Sequence, residues 1–153
     1  MKIPAEESAF EKAHITEGIH HAELMGISDA PDGQYGPRVA LDFNVYYSMK
    51  EGPARIGRVF GKKLTPKSKL WESIVALGGK PEVGKDFDMD SLLGNPCRVM
   101  VEDYEDNDGK TVSGINKVKT PNEKTSEYLS EAKEKLKNIK ENADNDPVPV
   151  EKI

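Results

Sequence analysis

Polar and apolar positions alternate most clearly between residues 39 and 47. Val39, Leu41, Phe43, Val45 and Tyr47 fall on one face, and Ala40, Asp42, Asn44 and Tyr46 on the other. A period of two marks a half-buried strand. Gly18 to Asp29 alternates around Ile19, Glu23, Met25 and Ile27, with Leu24 on the opposite face, and predicts a preceding strand. Between them, Ala30-Pro31-Asp32-Gly33 is turn chemistry, because Pro fixes φ and Gly accepts positive φ; the loop is expected to continue through Gln34-Tyr35-Gly36-Pro37. After a turn at Glu51-Gly52-Pro53, a third strand is expected from Arg55 to Lys63. Val59 shares one of its faces with Gly57 and Gly61, and Arg58, Phe60 and Lys62 share the other.

Thr65-Pro66 has the form of a helix N-cap followed by Pro at the first helical position. Leu70, Trp71, Ile74, Val75 and Leu77 then fit one amphipathic helix, stopped by Gly78-Gly79. Asp90 to Gly94 reads as a short turn. Cys97 to Val101 and Thr111 to Val118 read as two more strands, joined by the hairpin signal Asn107-Asp108-Gly109. The order is β-β-β-α-β-β, which predicts an all-β domain with one helix: a five-stranded OB-fold Greek-key barrel with its helix between strands three and four.

Thr120-Pro121-Asn122-Glu123 resembles a capping box. Beyond it, Leu129, Ala132, Leu136, Ile139 and Ala143 recur at helical spacing and form a narrow apolar seam. The expected organisation is an N-terminal arm over residues 1–17, frayed or a short helix, and a barrel domain over 18–120. A C-terminal amphipathic helix over 121–143 and a disordered tail over 144–153 follow. The seam would dock on the barrel, on a partner, or on a second copy as a homodimer.

With 153 residues, 36% hydrophobic and 32% charged, the chain suits one domain with a modest core. It has no apolar run of membrane-spanning length, no signal-peptide stretch in MKIPAEESAF, and one Cys; a cytoplasmic protein is expected. The net charge of −5, taken as an average, opposes a nucleic-acid partner, but the charge is unevenly placed. Residues 55–85 hold eight basic and two acidic residues, a local +6, which leaves −11 for the rest. The acidic share gathers at Asp86, Asp88 and Asp90 and at Glu102, Asp103, Glu105, Asp106 and Asp108.

Catalytic patterns fail on inspection. Cys97 has apolar strand neighbours and no adjacent activator, so it reads as a buried structural thiol. His20 and His21 would point to opposite faces of a strand, which is poor geometry for one metal. Gly57 to Lys63 departs from a phosphate loop in its glycine spacing and in having Lys63 where Ser or Thr belongs. The acidic run before Gly109 lacks EF-hand spacing. No enzyme activity, cofactor or metal is expected.

Binding chemistry is better represented. Single strands are held by aromatic faces that stack on bases, within a groove of cations that follows the phosphates. In the expected barrel this surface is the outside of strands two and three and the neighbouring loops. Arg58, Phe60 and Lys62 would form a basic–aromatic–basic row there, with Tyr46 beside it. Tyr35, Arg38, Arg55, Lys63 and Lys67 would form the rim. In the alternative arrangement Phe60 turns inward against the helix. Trp71 reads as a core residue of that helix.

Lys67-Ser68-Lys69-Leu70, Leu77-Gly78-Gly79, and the segment Phe87 to Val99 containing Asp90-Ser91-Leu92-Leu93-Gly94-Asn95-Pro96-Cys97 resemble a pattern of small bacteriophage proteins. Asp108-Gly109-Lys110 and Ile115 to Val118 match its closing hairpin and strand. The family resembled is that of OB-fold single-stranded DNA-binding proteins of phage replication or recombination. The likeness spans about residues 18–120. It implies non-enzymatic binding of single-stranded DNA with low sequence specificity, in a host cytoplasm, and recruitment of replication or recombination proteins through the C-terminal segment. The chain departs from an acidic tail closing on an aromatic residue, since it finishes Glu151-Lys152-Ile153. The rival expectation is an OB-fold assembly module acting through a sheet edge or the C-terminal helix.

Overall fold

The computed structural model describes residues 14–48 and 52–144, with side chains to residue 137. Residues 1–13 of the expected arm, Glu51 of the expected turn, residues 145–153 of the tail, and the Ile139 and Ala143 side chains lie outside that description. Five strands, β1 (Gly18–Gly33), β2 (Gly36–Tyr46), β3 (Ala54–Gly61), β4 (Pro96–Glu105) and β5 (Thr111–Lys119), form one antiparallel sheet in the order β3-β2-β1-β4-β5. Helix α1 (Lys69–Ala76) and a 3-10 turn (Met89–Leu92) lie between β3 and β4, and helix α2 (Thr125–Asp144) follows β5. The architecture is compatible with a small barrel-like all-β fold.

The core is built on the alternation of β2. Val39, Leu41, Phe43 and Val45 are all buried, and Leu41, Phe43 and Val45 pair laterally with inward residues of both neighbours. On β1 these partners are Ala22 and Leu24, then Ile27, and the change of parity has a definite cause. Leu24 pairs with Phe43 and Gly26 with Asp42, so Met25 is an extra, bulged residue. The sequence reading, which placed Ile19, Met25 and Ile27 together on one face, is therefore corrected. Ile19 and Met25 are exposed, while Ile27 packs on the core. The strand also runs past Asp29 to Gly33, and the reversal is made by Gln34 and Tyr35 alone. Gly36, with φ +116°, takes the backbone conformation of this turn that favours glycine.

Helix α1 begins later than expected. Ser68, not Thr65, is its N-cap and accepts a hydrogen bond from the Trp71 amide at 3.2 Å. Leu70, Ile74, Ala76 and Leu77 are buried against the sheet. Trp71 stands at the margin, only partly buried, and Val75 is exposed, so both depart from the expected inward stripe. Residues 14–17 are tied down: Ile15 is buried and its amide donates to Ser113 Oγ at 2.8 Å.

Helix α2 starts at Thr125, four residues after the position expected for it. Its seam residues Leu129 and Ala132 are buried against Tyr46, with Leu136 packed alongside. The seam thus docks on the sheet. Beneath it Glu23, 3% exposed, accepts from the Tyr46 hydroxyl at 2.6 Å and from Lys133 Nζ at 2.6 Å. His21 Nδ1 lies 3.0 Å from Thr125 Oγ1, and its ring is 4.8 Å from that of Tyr128. Burial, then the nearby Arg98 and His20, holds the His21 pKa below its ordinary value.

Cys97 is fully buried on β4, and desolvation followed by the nearby Glu23 pushes its thiol up to about 12. Above pH 9 the unfolded chain releases this proton while the folded one keeps it. Stability is therefore expected to fall between about pH 9 and 12, by roughly 1 kcal/mol per pH unit from this group. Urea unfolding at pH 8 and pH 10 checks it: Cys97→Ala should be less stable at pH 8 but should show the shallower decline.

Candidate nucleic-acid interface

The register of the β2–β3 hairpin decides which side chains reach the surface. Phe43 pairs with Ile56, Leu41 with Arg58, and Val39 with Phe60, so residues 56, 58 and 60 all face inward. This reverses the expected faces of β3. Phe60 is 4% exposed in the core, whereas Val59 is 44% exposed on the outside with Gly57 and Gly61. The reason is that Ile56 and Phe60, two large apolar groups of one parity, outweigh a single valine between glycines.

Arg58 shares that inner parity and works as a clasp. Its guanidinium donates to the main-chain carbonyls of Asn116 and, at 3.4 Å, Ile115 on β5, and its Cζ lies 4.8 Å from the Phe60 ring centre. Burial lowers its pKa, opposed by the charge of Glu72. The two edge strands of the sheet are joined here by a side chain. Arg58 is therefore turned toward β5 and away from the outer face expected for it.

Tyr46 is likewise removed from the outer surface. It is 4% exposed beneath α2, and burial together with the Glu23 hydrogen bond raises its pKa well above the ordinary tyrosine value. The middle of the outer β2–β3 face carries Asp42, whose Oδ1 would lie 2.6 Å from a Cβ at Gly57. That glycine lets the carboxylate lie across β3, and an acidic group there repels a phosphate chain. Arg55 stands exposed at the far end, six residues and about 20 Å of strand from Gly61.

Four of the expected residues do come together. Tyr35, Arg38, Lys62 and Lys63, with Pro37 and Gly61, line a groove of about 370 Å³ at the β1–β2 hairpin tip. Tyr35 is 94% exposed, so its ring offers both faces to solvent. Arg38 Nε donates to Pro31 O at 2.8 Å, which holds the guanidinium across the hairpin. The Lys62 amide donates to Pro37 O at 2.9 Å and extends the β2–β3 pairing past Gly61. Its ammonium pairs with Asp29, and Lys63 and Lys67 are exposed beyond it. Asp29, missed at the sequence level, is a carboxylate engaged with this cluster; its pairing opposite Val39 was hidden by the Met25 bulge.

Of the two acidic clusters, the Glu102–Asp108 run lies elsewhere, whereas Asp86 lines a neighbouring groove together with Lys62. Gly18 pairs with Val101, so the β4–β5 hairpin with Glu102 to Asp108 extends past the Gly18 end of β1. The basic groove is at the other end of that strand. Among the described residues no three His, Cys, Asp or Glu side chains gather as a metal ion would require. Nor is any helix there long and apolar enough to cross a membrane.

Fold and groove together describe a five-stranded antiparallel β-protein with two helices, compatible with a small barrel, that carries a basic, tyrosine-tipped hairpin end. No protein-family model matches the chain, and no curated protein matches it in sequence.

Proposed function

We propose that the protein binds single-stranded DNA without catalysis and with little sequence preference, through the groove at the β1–β2 hairpin tip. The observation that carries this reading is the fully presented Tyr35 ring between Arg38, Lys62 and Lys63. A base stacks on the ring, and the cations meet the phosphates on either side of it. The separation of the acidic β4–β5 hairpin to the opposite end of β1 supports it, since that run of carboxylates is kept away from the strand. An OB-fold is the finer reading of the architecture. It is supported by the strand order, by the helix between β3 and β4, and by the approach of β3 to β5 at Arg58.

The rival assembly reading loses support because Leu129 and Ala132 already pack on Tyr46. Its second surface, the sheet edges, is partly occupied by the Arg58 clasp.

Fluorescence anisotropy with labelled oligo-dT at low salt tests the proposal. Binding is expected, with a shallow salt dependence of about −2 to −3 in log–log slope, because three or four cations face the strand. Tyr35→Ala should remove one stacking contact, about 1–3 kcal/mol, and Lys63→Glu should weaken binding further. No binding at low salt and micromolar protein overturns the reading. Binding unaffected by either substitution moves the site off the hairpin.

A further inference from the structure

A second groove, of about 550 Å³, lies where α1 meets β5 and is not part of the hairpin site. Trp71, Val75 and Pro66 form its apolar part, and Arg98, Lys117 and Lys119 supply three cations against one carboxylate, Glu72. Glu72 is partly neutralised, since Lys117 Nζ lies 3.3 Å from its Oε1. Arg98 is held in place by donating from Nε to Thr120 O at 2.9 Å. An indole at the margin of a helix, beside an excess of positive charge, is the same pairing of chemistries as at Tyr35. It is also unexpected from the sequence, where Trp71 reads as core.

The two grooves are connected by the chain. Lys63 lines the hairpin groove and Pro66 lines the Trp71 groove, so their Cα atoms are at most about 11 Å apart. Lys67, exposed, is next to Pro66. Cations thus mark the way from one aromatic group to the other: Lys62, Lys63, Lys67, then Lys117 and Lys119.

We infer that the Trp71 groove is a second nucleotide subsite, which receives the same single strand after it leaves Tyr35 and passes Lys63 and Lys67. The inference rests on the hairpin reading and adds the direction in which the strand continues. It assigns Trp71 to a base, and Lys119, Lys117 and Arg98 to the adjoining phosphates. The strand turns toward α1 instead of crossing the outer β2–β3 face, where Asp42 lies.

Trp71 is the only tryptophan of the chain, so its fluorescence reports on the subsite directly. Unlabelled oligo-dT of about 20 nucleotides, longer than the ~4–16 that one such barrel covers, is titrated into the full chain while emission is followed. Anisotropy is recorded on a labelled sample of the same oligonucleotide. Quenching that saturates together with the anisotropy is expected. Lys119→Glu should abolish the quenching and weaken overall binding about tenfold, with its thermal unfolding midpoint showing that it is folded. Binding without quenching in the wild type overturns the subsite and leaves the hairpin reading intact. Absence of both signals overturns the two together. Quenching and affinity that survive Tyr35→Ala with Lys63→Glu overturn the hairpin reading and the connecting path.

Discussion

Phe60→Ala is expected to lower stability by about 3–5 kcal/mol, the range for emptying a large aromatic from a packed core, and to leave the affinity of the folded protein for oligo-dT unchanged. The ring sits opposite Val39 inside the sheet, and Arg58 lies over it. Removing it takes away both the core packing and the surface that steadies the guanidinium. Arg58→Met separates the two contributions, because it keeps an apolar stem over the ring but loses the charged donor. It should cost about 1.5–3 kcal/mol, the worth of a hydrogen bond to a charged group. It should also loosen the β3–β5 seam, seen as faster hydrogen exchange in the β3 and β5 amides. Chemical denaturation and anisotropy on the same samples decide the matter. A Phe60→Ala protein of full stability that no longer binds oligo-dT would falsify the inward placement of the ring.

Glu23→Ala should release α2 from the sheet. One carboxylate accepts from both the Tyr46 hydroxyl and Lys133, and it is buried under the helix. Its loss leaves a buried phenol without that acceptor, at about 1–3 kcal/mol, and removes the polar tie between sheet and helix. The Lys133 half contributes less, since that side chain is 53% exposed and its ion pair is screened by solvent. Glu23→Gln, which still accepts from Tyr46, should be milder, and Tyr46→Phe should cost about 1 kcal/mol. Limited proteolysis follows the consequence, with cleavage expected first between residues 125 and 144 in Glu23→Ala. Equal resistance of Glu23→Ala and wild type would show that Leu129 and Ala132 suffice to hold the helix.

Much of this fold is legible in the sequence, and the errors are instructive. The β2 alternation, the Asn107-Asp108-Gly109 hairpin and the α2 seam are local patterns, and each forms close to where the residues place it. The faces of β1 and β3 are another matter. A single bulged residue, Met25, changes the parity of β1, and nothing in a one-dimensional alternation marks it. For β3 the signal was present in Ile56, which shares parity with Phe60, but the glycines around Val59 masked it. The candidate site divides accordingly. Tyr35, Arg38, Lys62 and Lys63 converge on one hairpin end, while Phe60 and Tyr46 are buried, Arg58 reaches across to β5, and Arg55 stands at the far end of its strand.

The sequence by itself determined the inventory: five strands, a short helix between the third and fourth, an amphipathic helix after the fifth, and a basic stretch on an acidic chain. These follow from period, turn residues and charge, all set by neighbours within a few positions. Tertiary structure alone decided which faces meet water and which charges become neighbours. Facing depends on strand register, and register is set by pairing partners as far apart in the chain as Gly18 and Val101. Pairing placed Phe60 inside, laid α2 over Tyr46, sent the acidic hairpin to the far end of β1, and put Trp71 beside Lys117 and Lys119.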